Sequence, residues 1–120
     1  MHQFSNKYDL EERTAKFGER VIGFCRSIKY DPVTTPLINQ LVRSATSIGA
    51  NYMEANGASS KKDFGNKIYL CKKESQETKH WLRMIGSYAD GDKKEQLRAL
   101  WKECQELTLI FQKIGSSLKS

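Results

Sequence analysis

Long apolar runs are missing from this 120-residue chain. Nothing approaches the roughly 18 consecutive apolar residues of a membrane span. The opening stretch, MHQFSNKYDLEER, lacks the basic-then-apolar order of a secretory signal. These two absences set aside membrane insertion and export, and the expected location is the cytoplasm. No segment sustains the alternation of apolar and polar residues that marks a strand, which sets aside sheet folds. Cys25, Cys71 and Cys104 are odd in number, far apart and form no CxxC pair. This argues against a disulfide framework, and the spacing of a zinc site is absent. Cys71 and Cys104 fall on apolar helical stripes and read as small reduced core residues.

Catalytic signatures are equally scarce. Glu77-Thr78-Lys79-His80 has the Glu-x-x-His spacing that supplies ligands to di-iron bundles, but such a site needs a second copy and two further glutamates. The chain has only His2 and His80, so the ligand count fails and no metal is expected. There is no glycine-rich phosphate loop of standard spacing and no nucleophile elbow. Glu54 with Glu74 or Glu77 is the one candidate acid–base pair, and carboxylates satisfied by hydrogen bonds between helices explain it more simply. No catalytic residue, cofactor or enzymatic activity is expected.

What the chain does have is helical punctuation. Its length suits one domain, residues 1–120, able to bury a single core. Leu10, Thr14, Phe17, Val21, Phe24 and Ile28 recur at spacings of four and three, predicting a first helix near 8–30. DPVTTP breaks the chain, with Thr35 as the expected N-cap and Pro36 in the first helical position. The second helix, 36–56, carries an apolar stripe of Leu41, Ala45, Ile48, Tyr52 and Ala55, and Gly57 suits a left-handed C-terminal position. Ser60 and Asp63 resemble a capping box opening a third helix, 61–89, whose seam runs Phe64, Ile68, Cys71, Ser75, Thr78, Leu82, Ile85 and Ala89. Asp92 with Glu95 is the matching signal for a fourth, 93–118, which buries Leu97, Leu100, Cys104, Leu107, Phe111, Ile114 and Leu118. Four near-heptad seams with short connections predict an all-α protein, an antiparallel up-down-up-down four-helix bundle. Gly23 and Gly49 each cost a helix roughly 1 kcal/mol relative to alanine, which close helix approach would offset, the alternative being a flexible or kinked helix.

Two further patterns bear on function. Beside the second helix's apolar stripe, Ser44, Ser47, Asn51 and Glu54 fall within about 80° of one another. They are expected to hydrogen-bond to the third helix, where Ser75 and Thr78 offer a small polar middle and Glu77 lies nearby. On the third helix Lys61, Lys72, Lys79 and Arg83 fall within about 40°, with Lys62 and Lys73 near 110° and Tyr69 between the two groups. The chain carries a net charge of +6 and a pI near 9.3, which favours acidic partners, nucleic acid first. A basic arc holding one aromatic can contact phosphates and stack a base. It can also be no more than a solvated face. Tyr52, Met53, Trp81, Tyr88 and Trp101 are more large side chains than one small bundle readily covers, and are expected at a homo-oligomer interface.

Arg43, Ser44, Ala45, Ser47, Ile48, Asn51, Glu54 and Gly57, followed by Phe64, Ser75, Glu77, Thr78 and Leu82, resemble the pattern of a bacterial four-helix-bundle family. That family is encoded in intervening sequences of 23S ribosomal RNA genes. NYMEANG departs from the family's usual Asn-Ile-Ala-Glu-Gly, Tyr52 and Met53 being bulkier. The resemblance implies a ring-like homopentamer with no established enzymatic activity. It is also similar to the accessory proteins of diversity-generating retroelements, basic pentamers that partner a reverse transcriptase and its RNA. The expected function is therefore a non-enzymatic, oligomeric RNA- or nucleoprotein-binding module using Arg43 and the basic arc. The alternative is a protein–protein scaffold that binds no nucleic acid.

Overall fold

A computed structural model describes residues 9–119. The expected helix start at residue 8, and His2, lie outside them. Four helices account for most of the described chain: α1 (Leu10–Arg26), α2 (Thr34–Asn56), α3 (Lys61–Gly86) and α4 (Asp92–Ser117). No strand occurs among the described residues. The helices pack in a cycle, α1 against α2, α2 against α3, α3 against α4, and α4 back against α1. One core fills the space between them, and nearly all the seam residues named above are buried in it. Leu97 and Leu118, at the two ends of the α4 seam, are only half-buried.

The helix ends hold most of the differences from expectation. α1 stops at Arg26, short of residue 30, although Ile28 is still buried. Just beyond it exposed Ser27 bonds back to the last turn, its hydroxyl donating to the Phe24 carbonyl at 2.6 Å. α2 is opened by Asp31 and not by Thr35. The Asp31 carboxylate accepts the backbone N–H groups of Val33 and Thr34, each at 2.8 Å. In return the Thr34 hydroxyl accepts the Asp31 N–H and donates to the Lys29 carbonyl. This reciprocal arrangement satisfies two donors that a helix start leaves open, so Thr34 and Thr35 are already helical and Pro36 sits in the first turn. Gly57 has φ −95°, in the right-handed half of backbone space, so its expected left-handed cap is not formed. Ser60 does cap α3, accepting the Asp63 N–H at 3.0 Å. At α4 the capping residue is Gly91, whose φ of 54° suits glycine, and Asp92 is the first helical residue and makes no side-chain cap.

At mid-height the core becomes small and polar, which lets backbones approach. Buried Thr78 donates to the Ser44 hydroxyl of α2 at 2.9 Å, with the Glu74 carbonyl as a second acceptor at 2.8 Å. The Cys71 thiol donates to the Ile48 carbonyl, and the Cys104 thiol to the Ser75 carbonyl. Both sulfurs thus bridge neighbouring helices as weak donors. All three cysteines are free and buried, and burial pushes Cys25 up to about 11 and Cys71 and Cys104 up to about 12. Gly49 marks a close approach of a different pair: a Cβ there would lie 3.2 Å from Thr14 Oγ1 of α1. Gly23 faces open space, so no such approach offsets its conformational cost.

Candidate nucleic-acid interface

The polar stripe of α2 divides into two kinds of contact. Ser44 makes the expected cross-helix bond to Thr78. Ser47 and Asn51 instead bond back within α2, Ser47 to the Arg43 carbonyl and Asn51 to the Ser47 carbonyl. On α3, Ser75 likewise donates to its own helix, at the Cys71 carbonyl. Glu54 crosses to α3 as an ion pair with Lys67 at 2.7 Å. Glu77 and Glu74 both take Arg43, at 2.6 and 3.2 Å. The acid–base pair considered for Glu54 is thus replaced by three carboxylates engaged with cations. Burial opposes the charge on Arg43, and the hydrogen bonds and proximity of Glu77 and Glu74 outweigh it, raising its pKa. Arg43 therefore sits apart from the lysine arc, in a salt-bridge cluster on the α2–α3 side.

A second cluster mirrors the first on the other side of the bundle. Arg13 of α1 forms a two-pronged pair with Glu103 of α4, at 2.7 and 2.9 Å, and also reaches Glu106 at 3.0 Å. The hydrogen bond to Glu103 is the main cause of a raised Arg13 pKa, against the opposing effect of burial. Arg13 and Glu103 are 26% and 19% exposed, so this pair is partly shielded from water and salt.

These clusters decide the charge of the second helix pair. Residues 57–119 contain thirteen lysines and arginines and eight aspartates and glutamates. Four of the eight, Glu74, Glu77, Glu103 and Glu106, are held by Arg43 and Arg13 of the first pair. Three of the remaining four, Asp90, Asp92 and Glu95, lie around the α3–α4 turn. Of the lysines along α3, Lys61, Lys62, Lys72 and Lys73 are left without an ion-pair partner among the described residues, while Lys67 is taken by Glu54.

Their arrangement is more selective than the helix wheel implied. A groove of about 700 Å³ runs between α3 and α4, lined by Lys61, Lys62, Tyr69 and Lys72 of α3 and by Lys119 just past α4. Ile68, Phe111 and Leu118 supply apolar lining, Asn66, Gln112 and Ser116 are polar, and no carboxylate among the described residues lines it. Gly65 and Gly115 face the groove from opposite helices, and open space surrounds the Cβ position of Gly115. Tyr69 is 60% exposed, with the Lys72 ammonium 5.8 Å from its ring centre. None of Lys61, Lys62, Lys72 and Lys119 has an ion-pair partner among the described residues. Lys73 and Arg83 are exposed on α3 but do not line the groove. Lys79 is turned toward α4, where it donates to Gln105 and lies over the Trp101 ring at 5.5 Å. Lys119 had no signal in the α3 wheel, because it belongs to another part of the chain.

The residues expected at an oligomer interface also separate. Tyr52 is not available for one: it is 1% exposed and packs against Phe111, ring centres 6.0 Å apart, in the core. Its place on the apolar stripe of α2 outweighs its size. Met53, Tyr88 and Trp101 are exposed, as is Leu109. Trp81 is half-buried against the core beside His80, and its indole N–H is a buried donor without a partner among the described residues. Met53 and Ile22 form the apolar lip of a second groove, between α1 and α2, whose rim carries Asp9, Glu11, Glu12 and Glu19. No group of three histidine, cysteine or acidic side chains placed to hold a metal occurs among the described residues, and none of their helices is long and apolar enough to cross a membrane.

Residues 6–113 match the family described as 23S rRNA-intervening sequence protein. The chain belongs to that family. The match spans all but the end of α4, so it includes both arginine clusters and most of the groove. A solved structure from Bacteroides thetaiotaomicron, described as a protein of unknown function from the S23 ribosomal protein family, shares 28% identity and superimposes with a TM-score of 0.74. The alignment covers 88% of this chain and 96% of that one. No curated protein matches the chain.

Proposed function

We propose that this 23S rRNA-intervening sequence protein is a non-enzymatic nucleic-acid-binding protein, with RNA as its ligand and the groove between α3 and α4 as its contact surface. The observation that carries the reading is the groove's one-sided lining: four lysines around an exposed tyrosine, with no ion-pair partner and no lining carboxylate among the described residues. A phosphate backbone releases counterions when lysines replace them, so affinity of this kind is largely sequence-independent and falls steeply with salt. The cross-bundle pairs support the reading, since they withdraw carboxylates that would compete for the same lysines.

The protein works as a homo-oligomer, five subunits by its resemblance, in which the bundle runs up-down-up-down. Contacts of Ser44 with Thr78 and Glu54 with Lys67 support an antiparallel course for α2 and α3. Exposed Met53, Tyr88, Trp101 and Leu109 support association, and repetition of the groove around a ring would add avidity. Those same side chains favour a second reading, a scaffold for a protein partner such as a reverse transcriptase. The test is a salt titration of single-stranded RNA binding. Wild-type protein should show a log–log slope of roughly −0.7 per phosphate neutralised, and Lys62→Glu with Lys72→Glu should flatten it without altering helicity or oligomer size. No binding at low salt would move the scaffold reading ahead.

A further inference from the structure

We infer that the groove between α3 and α4 takes an unpaired nucleotide, its base inserted against Tyr69 and its flanking phosphates on the lysines, so the protein selects single-stranded over double-helical RNA. The inference rests on the reading above and adds the form of RNA and the part of it that enters. Lysines on an open convex surface would accept any phosphate backbone, duplex included. Here they stand at the rim of a depression with an apolar lining, and that lining has no use for a phosphate. At about 700 Å³ the depression lies within the roughly 300–1,000 Å³ of clefts that hold small organic ligands.

The lining matches a base better than any other part of a nucleic acid. Half-buried Leu118 offers apolar contact to a base face above a floor closed by the buried Ile68 and Phe111, and Asn66 and Gln112 place amides able to donate or accept at a base edge. Tyr69 is largely exposed, and with the Lys72 ammonium over its ring at 5.8 Å a base would stack on the other ring face, leaving Lys72 as a cation for a neighbouring phosphate. Gly65 and Gly115 keep side chains off both walls at that level. Paired bases in a double helix have both faces stacked and their Watson–Crick edges engaged, so a duplex offers no free base face to such a site. Entry therefore requires a base that is already unpaired.

The test compares a short single-stranded RNA carrying one 2-aminopurine with the same sequence annealed to its complement, at fixed low salt. The single strand should bind more tightly, with the 2-aminopurine signal changing on binding. Tyr69→Ala should weaken single-strand binding roughly 5- to 150-fold, the range that removing a base–aromatic stack carries, and leave duplex binding within about twofold. Tyr69→Phe should restore it. Gly115→Leu fills the groove without touching a charge, at a position with room for a side chain. It should therefore reproduce the loss on single strands alone. Circular dichroism identifies any variant that fails to fold. Equal affinity for the two RNAs, with Tyr69→Ala and Gly115→Leu both silent, would overturn the inference while leaving RNA binding intact. Failure of both RNAs to bind would remove the parent reading and this one together.

Discussion

The two grooves of this bundle are nearly equal in volume, 710 Å³ between α1 and α2 and 700 Å³ between α3 and α4, and opposite in charge. Each is formed by consecutive helices, each contains glycines and apolar side chains, and each is open to solvent. The first is rimmed by four carboxylates and the second by four lysines. Shape alone therefore gives no direction to binding, and electrostatics does. The same asymmetry runs through the chain: residues 9–56 carry six acidic and six basic side chains, while residues 57–119 carry an excess of five positive charges. Two arginines of the neutral half reach across to cover four carboxylates of the basic half. The contrast teaches that a modest net charge becomes a sharply signed surface when oppositely charged groups are paired across the fold.

The strongest way to break that contrast is to invert one groove. Replacing Lys61, Lys62, Lys72 and Lys119 by glutamate should abolish measurable RNA binding at moderate salt. Each phosphate that the groove no longer neutralises should flatten the log–log slope by roughly 0.7. Glu11→Gln with Glu12→Gln and Glu19→Gln, in the other groove, adds as much positive charge as three lysines would and should change affinity only slightly. Fluorescence anisotropy over a salt series reads both. Effects of the two variants in proportion to their charge changes, −8 for four Lys→Glu and +3 for three Glu→Gln, would show that only net charge matters.

Much of this could be read in the sequence, and the remainder has identifiable causes. The helices were legible because each seam repeats at helical spacing, and the same rule correctly places Tyr52 beside Leu41, Ala45 and Ile48. Judging Tyr52 by size pointed the other way, and burial against Phe111 settles it. Helix starts were harder, because two signals compete within DPVTTP: Pro36 favours a start at Thr35, and the Asp31–Thr34 exchange of hydrogen bonds wins. The basic arc was legible on one helix. Its division into groove-lining Lys61, Lys62 and Lys72 and inward-turned Lys79 depends on α4, which a wheel for α3 does not contain. Neutralisation by Arg13 joins residues ninety positions apart, beyond the reach of any local pattern.

The two arginine clusters offer a finer comparison. Arg13→Ala removes a two-pronged pair from a partly shielded site and leaves Glu103 without its cation. A loss of about 1.5–2 kcal/mol is expected, at the low end of the range for hydrogen bonds to charged groups. Arg43 is 46% exposed, so Arg43→Ala should cost less than about 1 kcal/mol. It should nevertheless weaken RNA binding modestly by releasing Glu74 and Glu77 toward the lysine arc. Urea denaturation checks the order, and equal losses would mean that burial does not separate the clusters.

Smaller still is the difference between two glycines of the first helix pair. Gly23→Ala should stabilise by about 0.5–1 kcal/mol, because the new methyl enters open space and the helix gains propensity. Gly49→Ala has the same gain to offset against a Cβ set 3.2 Å from Thr14 Oγ1. That hydroxyl is held by the Leu10 carbonyl at 2.6 Å and does not yield freely. The second variant should be less stable than the first, by thermal denaturation. The reverse order would mean that α1 and α2 can separate without penalty.

The smallest expected effect separates the acid and alkaline limits of the fold. The Asp31 carboxyl lies below its ordinary range because the backbone N–H groups of Thr34 and then Val33 donate to its charged form. A group held below its unfolded value, about 3.9 for aspartate, contributes stability that is complete above that value and lost as pH falls through the folded one. Lys67 has the opposite sign: its hydrogen bond to Glu54 raises its pKa. Its contribution is complete below the ordinary lysine value of about 10.4 and is lost as pH rises through the folded value. Asp31→Asn keeps an oxygen that can accept both N–H groups and removes the titration. It should therefore lose part of the melting-temperature decline below about pH 4 while leaving the alkaline limb untouched. Lys67→Met should flatten the alkaline limb. If Asp31→Asn leaves the acid limb unchanged, the opening of α2 is held by the Thr34 hydroxyl, and Thr34→Val becomes the variant that shifts it.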